Sequence, residues 1–148
     1  MRPTERPPEL RSPPRDFDRL VEWFERISSG LVLLEEYPRD DVRATVELLD
    51  HAVRAHVRRF DARWGGRGAA PGGSVELRAI LDADHARFLV SVEQLRWFFR
   101  IVESEDHGGH RQALGQYGRV LAEALRRHRR DERSYLAGVR GTRGRPAR

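Results

Sequence analysis

"LGQYGRVLAEALRRHRRDERSY" (Leu114–Tyr135) carries apolar side chains at Leu114, Tyr117, Leu121 and Leu125, the mixed three- and four-residue spacing of one helix face. The same spacing continued lands on His128 and then on Glu132. Four residues bring a helix back to nearly the same direction, so His128 and Glu132 project together from the face that Leu121 and Leu125 would bury. An ionisable pair thus occupies positions where the pattern calls for hydrocarbon. Such a placement is costly unless something partners it.

Three other segments show the same period. Residues 16–37 carry Phe17, Leu20, Phe24, Ile27, Leu31 and Leu34; residues 39–64 carry Val42, Val46, Leu49, Val53 and Phe60. Residues 74–104 carry Leu77, Leu81, Phe88, Val92, Leu95, Phe99 and Val102, and the fourth segment spans 110–137. Asp40 or Asp41 and Ser74 are suitable helix starts, and Ser28-Ser29-Gly30 is a place for the first helix to bend. No strand-like alternation competes. Four long amphipathic helices with short links predict an all-α, up-down-up-down antiparallel four-helix bundle.

The flanks and links differ in composition. Residues 1–15 hold Pro3, Pro7, Pro8, Pro13 and Pro14 and are expected to be a disordered arm. The bundle is expected to span 16–137, and "GVRGTRGRPAR" (138–148) to be a basic disordered tail. "GGRGAAPGG" (65–73) reads as a flexible loop, "SEDHGGH" (104–110) as a shorter break, and Pro38 as another. One domain of 148 residues is long enough for a real core.

Composition narrows the function. With no cysteine, disulfides, thiolate catalysis and iron–sulfur clusters are excluded. No apolar run approaches the ~20 residues needed to cross a bilayer, and the Arg-containing start lacks the apolar stretch of a secretory signal, so the cytoplasm is expected. The net charge of +5 comes from Arg scattered among 23 acidic residues, which reads as a solvated helix surface rather than a nucleic-acid face. The Arg-rich tail reads as a solubilising end, with phosphate contact the lesser alternative. Trp23, Trp97, Phe98 and Phe99 are expected to pack within the bundle. No nucleophile elbow, phosphate loop or dinucleotide fingerprint appears, and no catalytic mechanism is assigned.

The apolar faces have other polar exceptions. In the second segment the spacing 42, 46, 49, 53 predicts the next inward positions at His56 and Phe60. In the third, His85 falls between Leu81 and Phe88. Antiparallel neighbours share a level when they are equally far from the turn that joins them. His85 lies about 22 residues before the third turn and His128 about 21 after it; at about 1.5 Å per residue the two are level. His56 and His85 lie about 13 and 16 residues from the centre of the second loop, again close in height at about 1.5 Å per residue. Three histidines and Glu132 therefore converge toward the end of the bundle that holds both termini, and a bound cation would satisfy them together. The plainer alternatives are a His128–Glu132 pair on a surface helix, worth about 0.2–0.5 kcal/mol, and hydrogen-bonded core histidines at 56 and 85. His51 falls off the inward face, and Glu103, Glu105, Asp106, His107 and His110 read as a solvated turn.

These spacings resemble the hemerythrin-like (HHE cation-binding) family. Its pattern is a His on the first helix, H-x-x-x-E on the second, a His on the third and H-x-x-x-E on the fourth. "HRRDERSYL" supplies His128 and Glu132, and "DADHARFLVSVEQL" supplies His85. "HVRRF" supplies His56 but places Phe60 where the family has Glu; Asp61 is adjacent, about 100° off the face. The first helix has no His, and Asp16 is the nearest polar replacement. The resemblance implies a four-helix bundle that binds non-haem iron, with O₂, NO or peroxide as the small ligand and sensing, storage or detoxification as the role. It implies His56, His85, His128 and Glu132 as metal ligands, with Asp16 and Asp61 as possible additions. Four inward ligands suit a mononuclear or incomplete di-iron site. The alternative is a bundle of the same fold that has lost its metal and serves as a protein-interaction or regulatory module.

Overall fold

The computed structural model describes residues 14–31, 39–66, 68–105 and 108–143. They form four helices: α1 (Phe17–Gly30), α2 (Arg39–Trp64), α3 (Val75–Ser104) and α4 (Gly108–Arg143). No strand occurs among them. α1 packs on α2 and α4, and α3 packs on α2 and α4, so each helix touches its two neighbours around a four-membered ring. Contacts between neighbours run in opposite senses. Arg43 meets Glu103, Arg96 meets Glu47 and Arg54 meets Glu93, so α3 descends as α2 climbs. The all-α four-helix bundle is the architecture that the apolar periods predict.

Local chemistry sets the helix ends. Asp16 precedes α1, and its side chain accepts the Arg19 N–H at 3.1 Å; Ser74 does the same for Leu77 at 3.2 Å. Each satisfies a first-turn N–H that has no partner within the helix. Asp40 and Asp41 lie in the first turn of α2, where carboxylates favour the helix dipole.

Several boundaries differ from the sequence expectation. α1 runs to Gly30, with the Leu31 N–H still bonded to the Ile27 carbonyl at 3.0 Å, and residues 32–37 of the expected helix lie outside the described residues. Leu34 and Pro38 lie outside the described residues, as do 1–13 of the expected arm, Asp106 and His107 of the expected turn, and 144–148 of the expected tail. The helix α4 continues past 137 to Arg143. Val139 is the reason: it follows Tyr135 by one turn and is buried with Phe60, Leu81 and Tyr135. Farther on, the Thr142 hydroxyl donates to the Pro71 carbonyl at 2.9 Å. Gly108 and Gly109 open α4 rather than standing apart from it.

The 65–73 loop, expected to be flexible, is fastened. The Tyr135 hydroxyl accepts the Ala70 N–H at 2.8 Å, and the buried Arg78 guanidinium donates to the carbonyls of Trp64 at 2.5 Å and Gly68 at 3.4 Å. Gly72 has a φ of +81°, and a Cβ there would meet Thr142 and the Gly138 carbonyl. Only glycine combines that backbone with that approach.

The core has two apolar parts. The larger runs through Leu20, Phe24, Val46, Leu49, Val92 and Leu125; the smaller consists of Phe60, Leu81, Tyr135 and Val139 beside the 65–73 loop. Between them lies a polar layer. Trp23 and Phe99 are in the core as expected, and Phe98 is half-buried, but Trp97 is 63% exposed on the outer face of α3.

Candidate metal centre

α2, α3 and α4 each deliver one imidazole to the polar layer. His56 follows Val53, His85 follows Leu81 and His128 follows Leu125, each continuing the apolar face of its helix. All three are buried, His128 completely. The His128 Nε2 lies 3.3 Å from the His56 Nε2 and 3.1 Å from the His85 Nε2. One ligating nitrogen from each ring falls within 4.8 Å of the others, and this is the only such group among the described residues.

Aromatic rings wall the layer. Phe17 of α1 stacks on His56 at 5.1 Å between centroids, Phe60 stands edge-on to His85 at 4.8 Å, and Phe88 is perpendicular to His128 at 5.2 Å. This dry environment opposes charge on the imidazoles. Burial depresses the pKa of His56 to about 4 even against the favourable charge of Glu132. Burial, followed by the neighbouring His85 and His56, depresses His128 to about 3. Burial lowers His85 as well. All three are therefore neutral at physiological pH, the form in which imidazole presents a lone pair to a metal.

Asp84 orients the central ring. Its Oδ2 lies 3.2 Å from the His128 Nδ1. Burial raises the Asp84 carboxyl and lowers His128, so the contact is a hydrogen bond from a neutral imidazole rather than a full ion pair. With Nδ1 donating to Asp84, the His128 Nε2 carries a lone pair directed at the other two rings. One lone pair accepts well from only one donor. If His85 donates to it, His56 is left with the Glu132 Oε2 at 3.5 Å, the limit of a hydrogen bond. The His85 Nδ1 is buried without any partner.

These residues fit a metal ion. Two tetrahedral nitrogen ligands at about 2.0–2.1 Å from a metal stand about 3.3 Å apart, close to the 3.3 and 3.1 Å observed here. A cation among the three nitrogens would take all three lone pairs at once. Asp84 supplies the outer hydrogen bond that ligating histidines ordinarily have.

The remaining sequence-derived candidates separate clearly. Glu132 is buried beside the imidazoles, 3.5 Å from His56, but its Oε2 also accepts from Arg129 at 2.6 Å. Asp16 does not join the group: it is exposed and its carboxylate caps α1, because a residue just before a helix turns its side chain back toward the first-turn N–H groups. Asp61 does not join it either. It is exposed, one residue round the helix from the inward-facing Phe60. His51 is on the surface as expected, and His110 Nδ1 lies 2.9 Å from the Glu105 carbonyl.

Two residues that serve the site were not found from the sequence. Asp84 follows Leu81 by three residues, so the same face-spacing that found His85 could have found it. Arg129 has no such signal, since it lies about 100° from His128 around α4 and becomes relevant only when α1 brings Asp18 to it. Arg129 Nε donates to the Asp18 Oδ1 at 2.8 Å, and Arg133 reaches the Asp18 Oδ2 at 3.0 Å. The Arg129 hydrogen bond holds the Asp18 carboxyl below its ordinary range. No family model, curated protein or solved structure matches this chain.

Proposed function

We propose that this bundle is a mononuclear metal-binding protein in which His56, His85 and His128 hold the ion. The observation that carries the reading is three buried imidazoles whose ligating nitrogens lie within 4.8 Å of one another, the His128 Nε2 being 3.1 Å from that of His85 and 3.3 Å from that of His56. Iron is the metal that the hemerythrin-like resemblance implies, with O₂, NO or peroxide as its small ligand and sensing, storage or detoxification as the role. A metal held by these three histidines would supply a Lewis-acidic or redox centre at the point where the rings meet. The chain's own residues prepare that position. Asp84 fixes the His128 tautomer, Phe17, Phe60 and Phe88 exclude bulk water, and Arg129 holds the Glu132 carboxylate beside His56.

A single ion fits better than two. Phe60 occupies the position of the second-helix carboxylate in the family pattern, and Phe17 covers His56 from α1. Those rings offer no donor atoms to a second metal. The same substitutions favour the second reading, a metal-free bundle acting through protein partners.

The deciding experiment strips the protein with chelator, reconstitutes it anaerobically with Fe(II) or Zn(II), removes unbound metal and counts the equivalents retained. One equivalent is the expected result. Two would overturn the mononuclear assignment, and none with either metal would leave the interaction-module reading in its place.

A further inference from the structure

Between α1 and α4, outside the histidine layer, lies a surface cavity of about 230 Å³. Arg126, Arg129, Arg130 and Arg133 of α4 line it, facing Asp18 and Glu22 of α1. The four arginines stand at i, i+3, i+4 and i+7, so every one has a like charge a turn away. Like charges at this spacing destabilise an isolated helix. A stripe of four guanidiniums therefore calls for counter-charge.

α1 supplies part of it. Arg129 and Arg133 share Asp18, and Arg126 pairs with Glu25, which lies outside the cavity wall. Arg129 also reaches inward to Glu132. Arg130 has no ion-pair partner among the described residues, and neither does Glu22. The wall itself holds four guanidiniums and two carboxylates, and Glu25 and Glu132 beyond it offset Arg126 and Arg129, which leaves Arg130 as the guanidinium with its donors unspent. Each guanidinium has five N–H donors, and the contacts above use only one or two on any of them.

We infer that this cavity binds a small phosphate-class dianion, either free phosphate or the phosphoryl group of a small metabolite. Guanidinium forks suit the oxygens of such a ligand. The volume is below the ~300–1,000 Å³ of sites for drug-sized ligands, which limits the occupant to a small anion or a phosphoryl group with a short substituent. Arg130 supplies unspent donors, while Arg129 places the ligand one side chain away from Glu132.

The test is made on metal-free protein, so its outcome is independent of whether the histidines hold a metal. Inorganic phosphate and glycerol 3-phosphate are titrated separately by calorimetry at low ionic strength, with sodium chloride of equal ionic strength as the control. Saturable binding of one equivalent is expected. Phosphate alone binding would indicate the free ion, and the monoester binding as tightly or more tightly would indicate a metabolite's phosphoryl group. Arg130→Gln, at an exposed position that leaves the packing alone, should weaken binding roughly tenfold or more by removing charge-assisted hydrogen bonds. Glu22→Gln should strengthen it by removing a repelling carboxylate. Absence of saturable binding, an equal response to chloride, or affinity unchanged in both variants would overturn the proposal.

Discussion

Two of the polar levels in the bundle core contrast with each other. At one, the Trp23 indole N–H donates to the Thr45 hydroxyl at 3.1 Å, and that hydroxyl donates to the Asp41 carbonyl at 2.7 Å. Every link has its complement, and the chain ends on a backbone carbonyl within α2. At the other level three imidazoles meet nitrogen to nitrogen, with one lone pair approached by two rings and the His85 Nδ1 unpartnered. Both sites are buried in apolar surroundings, so burial by itself does not distinguish them. The difference lies in satisfaction. A structural polar contact closes on itself, whereas the histidine layer leaves the His85 Nδ1 without a partner.

The most severe way to break that contrast is to remove one member from each level. His128→Ala should abolish metal retention in the reconstituted protein, since it deletes the ring that both other imidazoles face. Thr45→Val should leave retention unchanged and lower stability by about 1–3 kcal/mol, the cost of an unsatisfied buried indole donor. Metal analysis beside urea unfolding separates the two effects. Retention lost equally in both variants would mean that the histidine layer depends on general packing rather than on its own ligands.

Acid should expose the same difference through protonation. His56 and His128 have folded-state pKa values of about 4 and about 3, against an ordinary value of 6.5. Between those limits the unfolded chain binds more protons than the folded one, so stability rises with pH across the window. The metal-free protein should therefore be at full strength above about pH 6.5 and lose stability as pH falls toward 3, by an amount on the order of several kcal/mol. Replacing His56 and His128 with Leu should flatten this part of the curve, whereas Thr45→Val should shift the whole curve down without changing its shape. Urea unfolding midpoints from pH 3 to 8 give the comparison.

A smaller effect sharpens the assignment at Phe60. Its ring makes an edge contact with His85 and lies 5.4 Å from the Arg78 guanidinium. Phe60→Glu should destabilise the metal-free protein by about 1–3 kcal/mol, because a carboxylate enters an apolar cluster. Metal should restore much of the loss if the new carboxylate reaches the ion, since a ligand that binds only the folded state stabilises it by mass action. The readout is the melting temperature of both proteins with and without Fe(II) or Zn(II). A variant whose melting temperature ignores metal would show that position 60 does not address the centre.

The helical period of the sequence determined the four helices and the faces they bury, because a residue's direction on a helix depends only on its number along the chain. It also determined that His56, His85 and His128 point inward at similar heights, since rise per residue and short antiparallel links fix level. What it left undecided involves neighbours on different helices. Asp84 becomes the partner of His128 only through the register of α3 against α4, and Arg129 joins Glu132 to Asp18 only through the approach of α1 to α4. The extension of α4 to Arg143 rests on one buried valine and the cluster that receives it, and the 65–73 loop is tied by Arg78 at the start of α3 and by Tyr135, 65 residues beyond Ala70. Trp97 shows the converse: its apolar character suggested the core, but its angle on α3 put it in solvent. Periodicity is a property of one helix, whereas satisfaction of a polar atom is a property of everything packed around it, and only the tertiary structure brings those partners together.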